Sequence, residues 1–178
     1  MHVEVKSRST FSPEDQAAIE ALSGAVYPPE VVATSPGRDF TWSQPQYSIF
    51  VHDDAGHLVS HVGVLTRGAT LNGTAVQIGG IGGVSTHPDY RSRGYAAAGI
   101  KRAVDSFIEN PSIAFALLVC QRNVAPYYAR LGWQPFEGVL VVEQPNGRVQ
   151  FTLNMPMVFP IHAEVPKSGE IDLCGAPW

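Results

Sequence analysis

Charged residues and cysteines are scarce in this sequence. Aspartate, glutamate, lysine and arginine make up 16% of its 178 residues, and its two cysteines are Cys120 and Cys174. The cysteines lie far apart and lack the spacing of metal ligands, which predicts no metal and a reduced, cytoplasmic protein. Cys120 ends an apolar run, so we expect it to be a small buried hydrophobic residue.

Long apolar runs and basic clusters are also missing. No stretch approaches the roughly 20 apolar residues that cross a bilayer, and residues 1–10 are too polar for a signal peptide. No cluster of lysine and arginine follows the pattern of a nucleic-acid site. With a net charge of −4, the chain is expected to bind neither membrane nor nucleic acid and to favour a cationic small molecule.

The apolar residues that are present suffice for one compact core. Hydrophobic residues form 44% of the chain, and its length is ordinary for one domain. We therefore expect residues 1–178 to form a single domain.

Hydrophobic periodicity and turn residues predict alternating strands and helices. Strands are expected at 2–8, 46–52, 58–70, 74–86, 112–119, 139–142 and 149–153. Helices are expected at 13–26, 94–109 and 123–130, and the segment 156–178 is expected to be irregular. Asn72-Gly73 and Asn146-Gly147 are typical of hairpin turns. The pattern predicts an α/β (α+β) fold with one central sheet flanked by helices.

Residues 83–96 join a predicted strand to a predicted helix. They read Gly-Val-Ser-Thr-His-Pro-Asp-Tyr-Arg-Ser-Arg-Gly-Tyr-Ala, without side-chain bulk at Gly94. The first N–H groups of a helix lack partners within it and, with the helix dipole, form an anion site. Arg91 and Arg93 add positive charge, so the segment predicts a pyrophosphate site. A basic turn before an ordinary helix would explain the same residues.

Two motifs carry a resemblance to a known family. Arg-x-x-Gly-x-Ala, after a strand and a proline-containing turn, resembles the pyrophosphate loop of the GNAT acetyltransferase superfamily. Residues 123–133, Asn-Val-Ala-Pro-Tyr-Tyr-Ala-Arg-Leu-Gly-Trp, resemble its next motif at the expected distance. The resemblance covers about residues 47–136. It implies a central mixed, mostly antiparallel sheet with a V-shaped splay.

The resemblance implies acetyl-CoA as the co-substrate and gives roles to the residues of both motifs. Backbone groups of 84–86 and the side chain of Asn123 would contact the pantetheine arm, and 91–96 would hold the pyrophosphate. Tyr128 would protonate the departing CoA thiolate, for which a phenol of pKa about 10 is suited. Tyr127 is assigned to the core. The implied cofactor residues are Val84, Ser85, Thr86, Arg91, Ser92, Arg93, Gly94, Tyr95, Ala96 and Asn123.

The two segments expected to lie on the acceptor side of the site resemble those of the aminoglycoside 2'-N-acetyltransferases, which confer antibiotic resistance. The shared features are an Asp-Phe-Thr run that begins at Asp39 and an acidic tail, 169–178, that ends in tryptophan. This resemblance implies that Asp39, Asp172 and Trp178, with the terminal carboxylate, bind a cationic amino sugar. Kasugamycin, with its 2'-amino group, is a candidate acceptor. Alternatively, both aspartates are solvated loop acids and Trp178 only packs.

The strand before the pyrophosphate loop departs from that family. The family carries a glutamate there, whereas this chain reads Gly-Gly-Ile-Gly-Gly at 79–83, with Gly82 in the glutamate's place. The general base is then His87, Asp172, the terminal carboxylate or water. The bare glycines would also leave room for a sugar of different shape.

Other functions fit parts of the same sequence. Residues 60–65 resemble a strand of the nodulation acyltransferases, but no lipid groove is evident. Acetylation of a peptide or another small amine, and a non-catalytic acetyl-CoA-binding module, are further alternatives, and Tyr128 argues against the last. Members of the superfamily are often homodimers, and the final hairpin has an edge through which two chains can pair.

Overall fold

The computed structural model describes residues 1–178, which form two compact units. The first contains residues 1–39, 45–64 and 81–105, and the second contains residues 40–44, 65–80 and 106–178. Both units are therefore assembled from separate stretches of the chain, and the predicted single domain stays a prediction.

The elements alternate between strands and helices. The strands are β1 (His2–Ser7), β2 (Tyr47–His52), β3 (Leu58–Leu71), β4 (Thr74–Thr86), β5 (Ile113–Cys120), β6 (Gln134–Pro135), β7 (Val139–Gln144), β8 (Gly147–Gln150), β9 (Met155–Pro160) and β10 (Glu170–Asp172). The helices are α1 (Pro13–Val26), α2 (Pro29–Thr34), α3 (Tyr95–Ile108) and α4 (Ala125–Arg130), with short 3-10 helices at Arg8–Thr10 and Pro88–Tyr90. None of the helices is long and apolar enough to span a membrane.

The first unit is built on antiparallel strands at its N-terminal side. β2 pairs with β1 and with β3, and Phe50 lies opposite Glu4 on one side and His61 on the other. Ile49, Val51 and Val62 belong to a buried layer. Residues 48–51 of β2 are all buried, so this strand is covered on both faces. A short, nearly continuous apolar run is typical of such a strand.

Helix α3 packs closely on this layer because of a glycine. A Cβ atom at Gly99 would lie 2.8 Å from Val62 Cγ2 and 3.2 Å from Val51 Cγ2. Ile100 and Ala103 on the same helix are buried. The glycine therefore lets the helix backbone approach the strands, which fixes the place of the helix N-terminus.

The second unit contains residues 65–71 of β3, residues 74–80 of β4 and the strands β5 to β10. The strand order is β6-β9-β5-β4-β3-β10-β7-β8. β5 pairs antiparallel with β9, and β10 pairs parallel with β7 and antiparallel with β3. The sheet is thus mixed and mostly antiparallel, with helices beside it, and the predicted α/β fold is confirmed. The prediction of an irregular segment at 156–178 is wrong, because β9 and β10 lie within it.

Gly99 and Gly24 provide a matched pair of helix substitutions. We expect Gly99→Ala to lower the free energy of unfolding by about 1–3 kcal/mol, because the new methyl group overpacks two valines. Gly24 in α1 has no atom within 4 Å of its Cβ position, so Gly24→Ala should stabilise by up to about 1 kcal/mol. Urea unfolding measures both changes, and stabilisation of similar size in both variants would contradict the close approach of α3.

Candidate functional site

The loop between β4 and α3 is held by backbone hydrogen bonds, both within the loop and to β3. The His87 N–H donates to Val59 O at 2.9 Å, and the 3-10 helix Pro88–Tyr90 follows at once. Two residues then take left-handed conformations, Ser92 with φ 61° and Gly94 with φ 84°. The Ala98 N–H donates to Gly94 O at 3.0 Å and closes the first turn of α3. The turn residues thus lead directly into the first turn of α3, whose first amides lack partners within the helix.

The loop is open to solvent and positively charged. Arg91, Ser92, Arg93 and Gly94 are exposed, and no atom lies within 4 Å of the Cβ position of Gly94. The guanidinium of Arg93 stacks 5.3 Å from the centroid of the Tyr90 ring. Arginines beside a helix N-terminus are groups of the kind that bind an anion with several oxygens, and the predicted pyrophosphate site stays a prediction.

Tyr90 connects this loop to the end of β2. Its hydrogen bond to the Asp53 carboxylate raises the pKa of Tyr90, and its ring makes edge contacts with His87 and Tyr95. Asp53 also accepts the N–H groups of Ala55 and His57, each at 2.9 Å. The bond from the His57 backbone is the main reason that the pKa of Asp53 falls to about 2. The carboxylate is therefore ionised at neutral pH and anchors the loop.

The last residues of β4 are tied to β3 by side chains. Gly83 has φ 58°, and its carbonyl lies 3.2 Å from Nδ1 of His61. Ser60 Oγ donates to Ser85 O at 2.7 Å and lies 2.8 Å from Thr86 Oγ1. The backbone of 84–86, which the sequence assigns to pantetheine, is therefore fixed by β3. Ser60 and His61 lie in the segment that resembles a strand of the nodulation acyltransferases, but sequence reasoning assigned neither residue a role at the donor site.

Two of the bare glycines accommodate aromatic rings of the same chain. A Cβ atom at Gly79 would lie 2.7 Å from the Phe107 ring, and one at Gly80 would lie 2.5 Å from Trp178 Cε2. These positions therefore need glycine for packing, which replaces the interpretation that they make room for a sugar.

Trp178 lies inside the second unit. Its side chain belongs to the buried core, with the residue 7% exposed, and Nε1–H donates to Leu117 O at 3.2 Å. The Arg67 guanidinium lies 5.4 Å from the centroid of the Trp178 ring and donates to Ala176 O at 2.6 Å. The Ser43 N–H donates a hydrogen bond to Pro177 O at 2.6 Å. These contacts fit the packing alternative, and contact with an acceptor stays a prediction.

The two predicted acceptor aspartates have different surroundings. Asp172 is 6% exposed; it forms an ion pair with Arg148 and accepts the Cys174 N–H at 2.9 Å. The Asp39 side chain is 85% exposed and lies 3.4 Å from Arg38 Nε. Asp39 belongs to the first unit and Asp172 to the second. The charge of Asp172 is already balanced, whereas the Asp39 carboxylate faces solvent.

The second motif forms an exposed turn followed by α4. Asn123 is exposed in the turn, and Tyr128 is 7% exposed. The Tyr128 ring makes edge contacts with Tyr127 at 5.3 Å and Trp133 at 6.4 Å between centroids. Burial raises the pKa of Tyr127, and its buried hydroxyl has no hydrogen-bond partner. Tyr127 is only half-buried, whereas Tyr128 belongs to the core. The prediction that Tyr127 is the core tyrosine is therefore wrong, and the role of Tyr128 as the acid stays a prediction.

Cys120 is unsuited to covalent catalysis. It is buried, as predicted, with Sγ 3.6 Å from Met157 Sδ. Burial raises the pKa of its thiol to about 11, and the nucleophilic form of cysteine is the thiolate. No three histidine, cysteine, aspartate or glutamate side chains are grouped to hold a metal ion.

The chain belongs to a known enzyme family. It matches the acetyltransferase (GNAT) domain over residues 13–136, which is most of its length. The superfamily to which the two sequence motifs pointed is therefore confirmed.

Individual relatives share the fold and part of the sequence. An aminoglycoside 2'-N-acetyltransferase of Mycolicibacterium fortuitum is 27% identical over 117 residues, 66% of this chain and 59% of that protein. The chain thus spans less than two thirds of that relative's length. The GNAT family N-acetyltransferase YhbS of Escherichia coli, solved with CoA, matches with a TM-score of 0.60 at 16% identity, covering 98% of this chain and 91% of that one. A Brucella melitensis GNAT acetyltransferase, solved with acetyl-CoA, matches with a TM-score of 0.56 at 16% identity, over 96% and 94%.

Gly80 tests the packing of Trp178. We expect Gly80→Ala to lower the free energy of unfolding by about 1–3 kcal/mol, because the rigid indole ring of Trp178 leaves no room for a methyl group at position 80. Gly68 on β3 is exposed, and its Cβ position meets only a glutamine side chain, at 3.4 Å. Gly68→Ala should therefore change stability by less than about 0.5 kcal/mol. Thermal unfolding of both variants measures this, and equal stability would place the ring elsewhere.

Proposed function

We propose that this protein is an acetyl-CoA-dependent N-acetyltransferase that acetylates an amino group of an aminoglycoside. The observation that carries the proposal is the open, positively charged loop at the N-terminus of α3, in a chain of the GNAT family. Diphosphate groups carry several anionic oxygens, and helix amides with arginines are a recurrent way to bind them.

The donor is assigned to residues of both motifs. The pyrophosphate of CoA binds the backbone amides and guanidinium groups of 91–96, and the pantetheine arm binds the backbone of 84–86 and Asn123. Support comes from the exposure of Arg91 and Arg93 and from the CoA and acetyl-CoA complexes of the E. coli and B. melitensis relatives. The nucleotide is thus held by charge and the arm by strand-like hydrogen bonds.

The reaction is a direct transfer between bound substrates. The neutral acceptor amine attacks the thioester carbonyl carbon, the new C–N bond forms, and the C–S bond breaks with loss of the CoA thiolate. Backbone N–H groups stabilise the oxyanion of the tetrahedral intermediate, and Tyr128 protonates the thiolate. An acetyl-cysteine intermediate at Cys120 is disfavoured, because its raised pKa keeps the thiol protonated.

The proton lost by the amine goes to water in this proposal. Asp172 is already paired with Arg148, and Nδ1 of His87 accepts the Asp89 N–H at 3.3 Å. Two of the three predicted protein bases, Asp172 and His87, therefore have other partners, and the terminal carboxylate stays an alternative to water. Gly82 provides no carboxylate, so an ordered water fills the role that a glutamate has in the related family.

The acceptor class is argued from one relative and from the charge of the chain. The M. fortuitum relative is named as an aminoglycoside 2'-N-acetyltransferase, and the net charge of −4 favours a polycationic acceptor. The exposed Asp39 carboxylate is the group that we assign to an ammonium of the sugar. Kasugamycin is a specific candidate because its amine is also at the 2' position. Acetylation of such an amine would give antibiotic resistance.

An acceptor panel tests the proposal. Release of the CoA thiol from acetyl-CoA is measured with 2'-amino aminoglycosides, kasugamycin, spermidine and peptides with free N-termini. We expect turnover with at least one 2'-amino sugar and none with an analogue that carries a 2'-hydroxyl group. Turnover confined to peptides or polyamines would replace the aminoglycoside as acceptor. Binding of acetyl-CoA without turnover across a wide panel would favour a non-catalytic module.

Tyr128 and Tyr127 allow a matched test of the acid. Tyr128→Phe should lower kcat by about 10²-fold or more, because general-acid catalysis typically contributes 10²–10⁴-fold, while the Kd for acetyl-CoA stays unchanged. Tyr127→Phe removes only a hydroxyl without a partner and should leave kcat unchanged. Steady-state kinetics and calorimetry give both values, and equal kcat in the two variants would remove Tyr128 as the acid.

A further inference from the structure

The side chain of His61 joins three neighbouring strands of the first unit. It projects from β3, and its Nε2 lies 2.9 Å from Ser48 Oγ on β2. Its Nδ1 lies 3.2 Å from the carbonyl oxygen of Gly83 on β4. The Phe50 ring makes an edge contact with the imidazole, 6.1 Å between centroids. The ring is therefore held from two sides, and both nitrogen atoms have partners.

The partners determine which nitrogen carries the proton. A carbonyl oxygen accepts hydrogen bonds and cannot donate, so Nδ1 must bear the hydrogen that faces Gly83. In the neutral ring, Nε2 then accepts the hydrogen of the Ser48 hydroxyl, which donates and accepts equally well. Burial lowers the pKa of His61, against a smaller raising effect of the bond to Gly83. The neutral form with a proton on Nδ1 is thus the form at pH 7.

The bonded carbonyl belongs to a peptide group with a special conformation. Gly83 has φ 58°, a value that L side chains adopt rarely and glycine adopts freely. The peptide bond between Gly83 and Val84 is planar and trans, so its C=O and the Val84 N–H point in opposite directions. Holding the carbonyl oxygen on one side therefore also fixes the direction of the Val84 N–H on the other side.

We propose that His61 is a positioning residue, which holds the Gly83 carbonyl through Nδ1–H and so aims the Val84 N–H at the pantetheine arm of acetyl-CoA. The inference rests on the proposed function, which assigns the backbone of 84–86 to that arm. Glycine at 83 allows this peptide more orientations than another residue would, and the imidazole selects one of them before the ligand binds. Pre-ordering of this kind lowers the entropy cost of binding.

Three substitutions separate the two hydrogen bonds of the imidazole. The Asn amide reaches the place of Nδ1, so His61→Asn retains a donor for Gly83 O and loses the contact with Ser48. The Gln amide reaches the place of Nε2, so His61→Gln retains the Ser48 contact and loses the donor. His61→Phe retains a ring and loses both. The donor to Gly83 is thus present only in the wild type and His61→Asn.

Two ligands report on different parts of the donor site. Acetyl-CoA includes the pantetheine arm, whereas adenosine 3'-phosphate 5'-diphosphate includes only the nucleotide. We expect His61→Gln and His61→Phe to weaken the Kd for acetyl-CoA about 5–10-fold, the size of one hydrogen bond, and His61→Asn to stay within about 2-fold of wild type. The Kd for the nucleotide should be the same in all four proteins. Calorimetry gives the constants, and thermal unfolding gives the stability of each variant.

Each other result has a defined meaning. Unchanged acetyl-CoA binding in His61→Gln and His61→Phe overturns the positioning role and leaves the proposed function intact. Equal weakening of both ligands, together with a lower Tm, assigns His61 to general stability and also overturns it. If the wild type binds neither ligand, the proposed function itself is wrong and the inference falls with it.

Discussion

The turn from β4 into α3 is the constraint on which the candidate site depends. The chain must leave a strand, reverse within a few residues and begin a helix with its first amides facing solvent. Left-handed backbone at Gly83, Ser92 and Gly94 makes this path feasible, and the close packing at Gly99 fixes where the helix starts. The charged loop is therefore a product of backbone geometry first and of its arginines second.

Local patterns in the sequence predicted most of the strands and helices. Asn72-Gly73 correctly predicted the β3–β4 hairpin, and the apolar run before Cys120 correctly predicted β5. Both features depend on residues that are close together in the chain. The strands at 155–160 and 170–172 were missed. Prolines at both 156 and 160 disguise β9, whose strand form comes from pairing with β5, and such tertiary effects outweigh local preference.

Fewer features of the candidate site than of the fold could be predicted from the sequence. The exposed turn at 91–94 agrees with its motif, but the burial of Asp172 could not be predicted, because its partner Arg148 lies on β8, distant in sequence. The resemblance implied that Trp178 binds the acceptor, yet its ring fills the space over Gly80. The role of His61 could not be predicted, because it depends on the hydrogen bond to the Gly83 carbonyl, which only the folded structure shows.

β10 has a consequence for the order in which the second unit forms. This short strand lies between β3 and β7, and Ile171 at its centre pairs with Leu71 and Leu140, far apart in sequence. Until residues 170–172 are available, β3 and β7 have unsatisfied edges. The pairing of β10 is therefore non-local, which slows folding in general, and on a chain under synthesis it cannot form before residue 172 has been added.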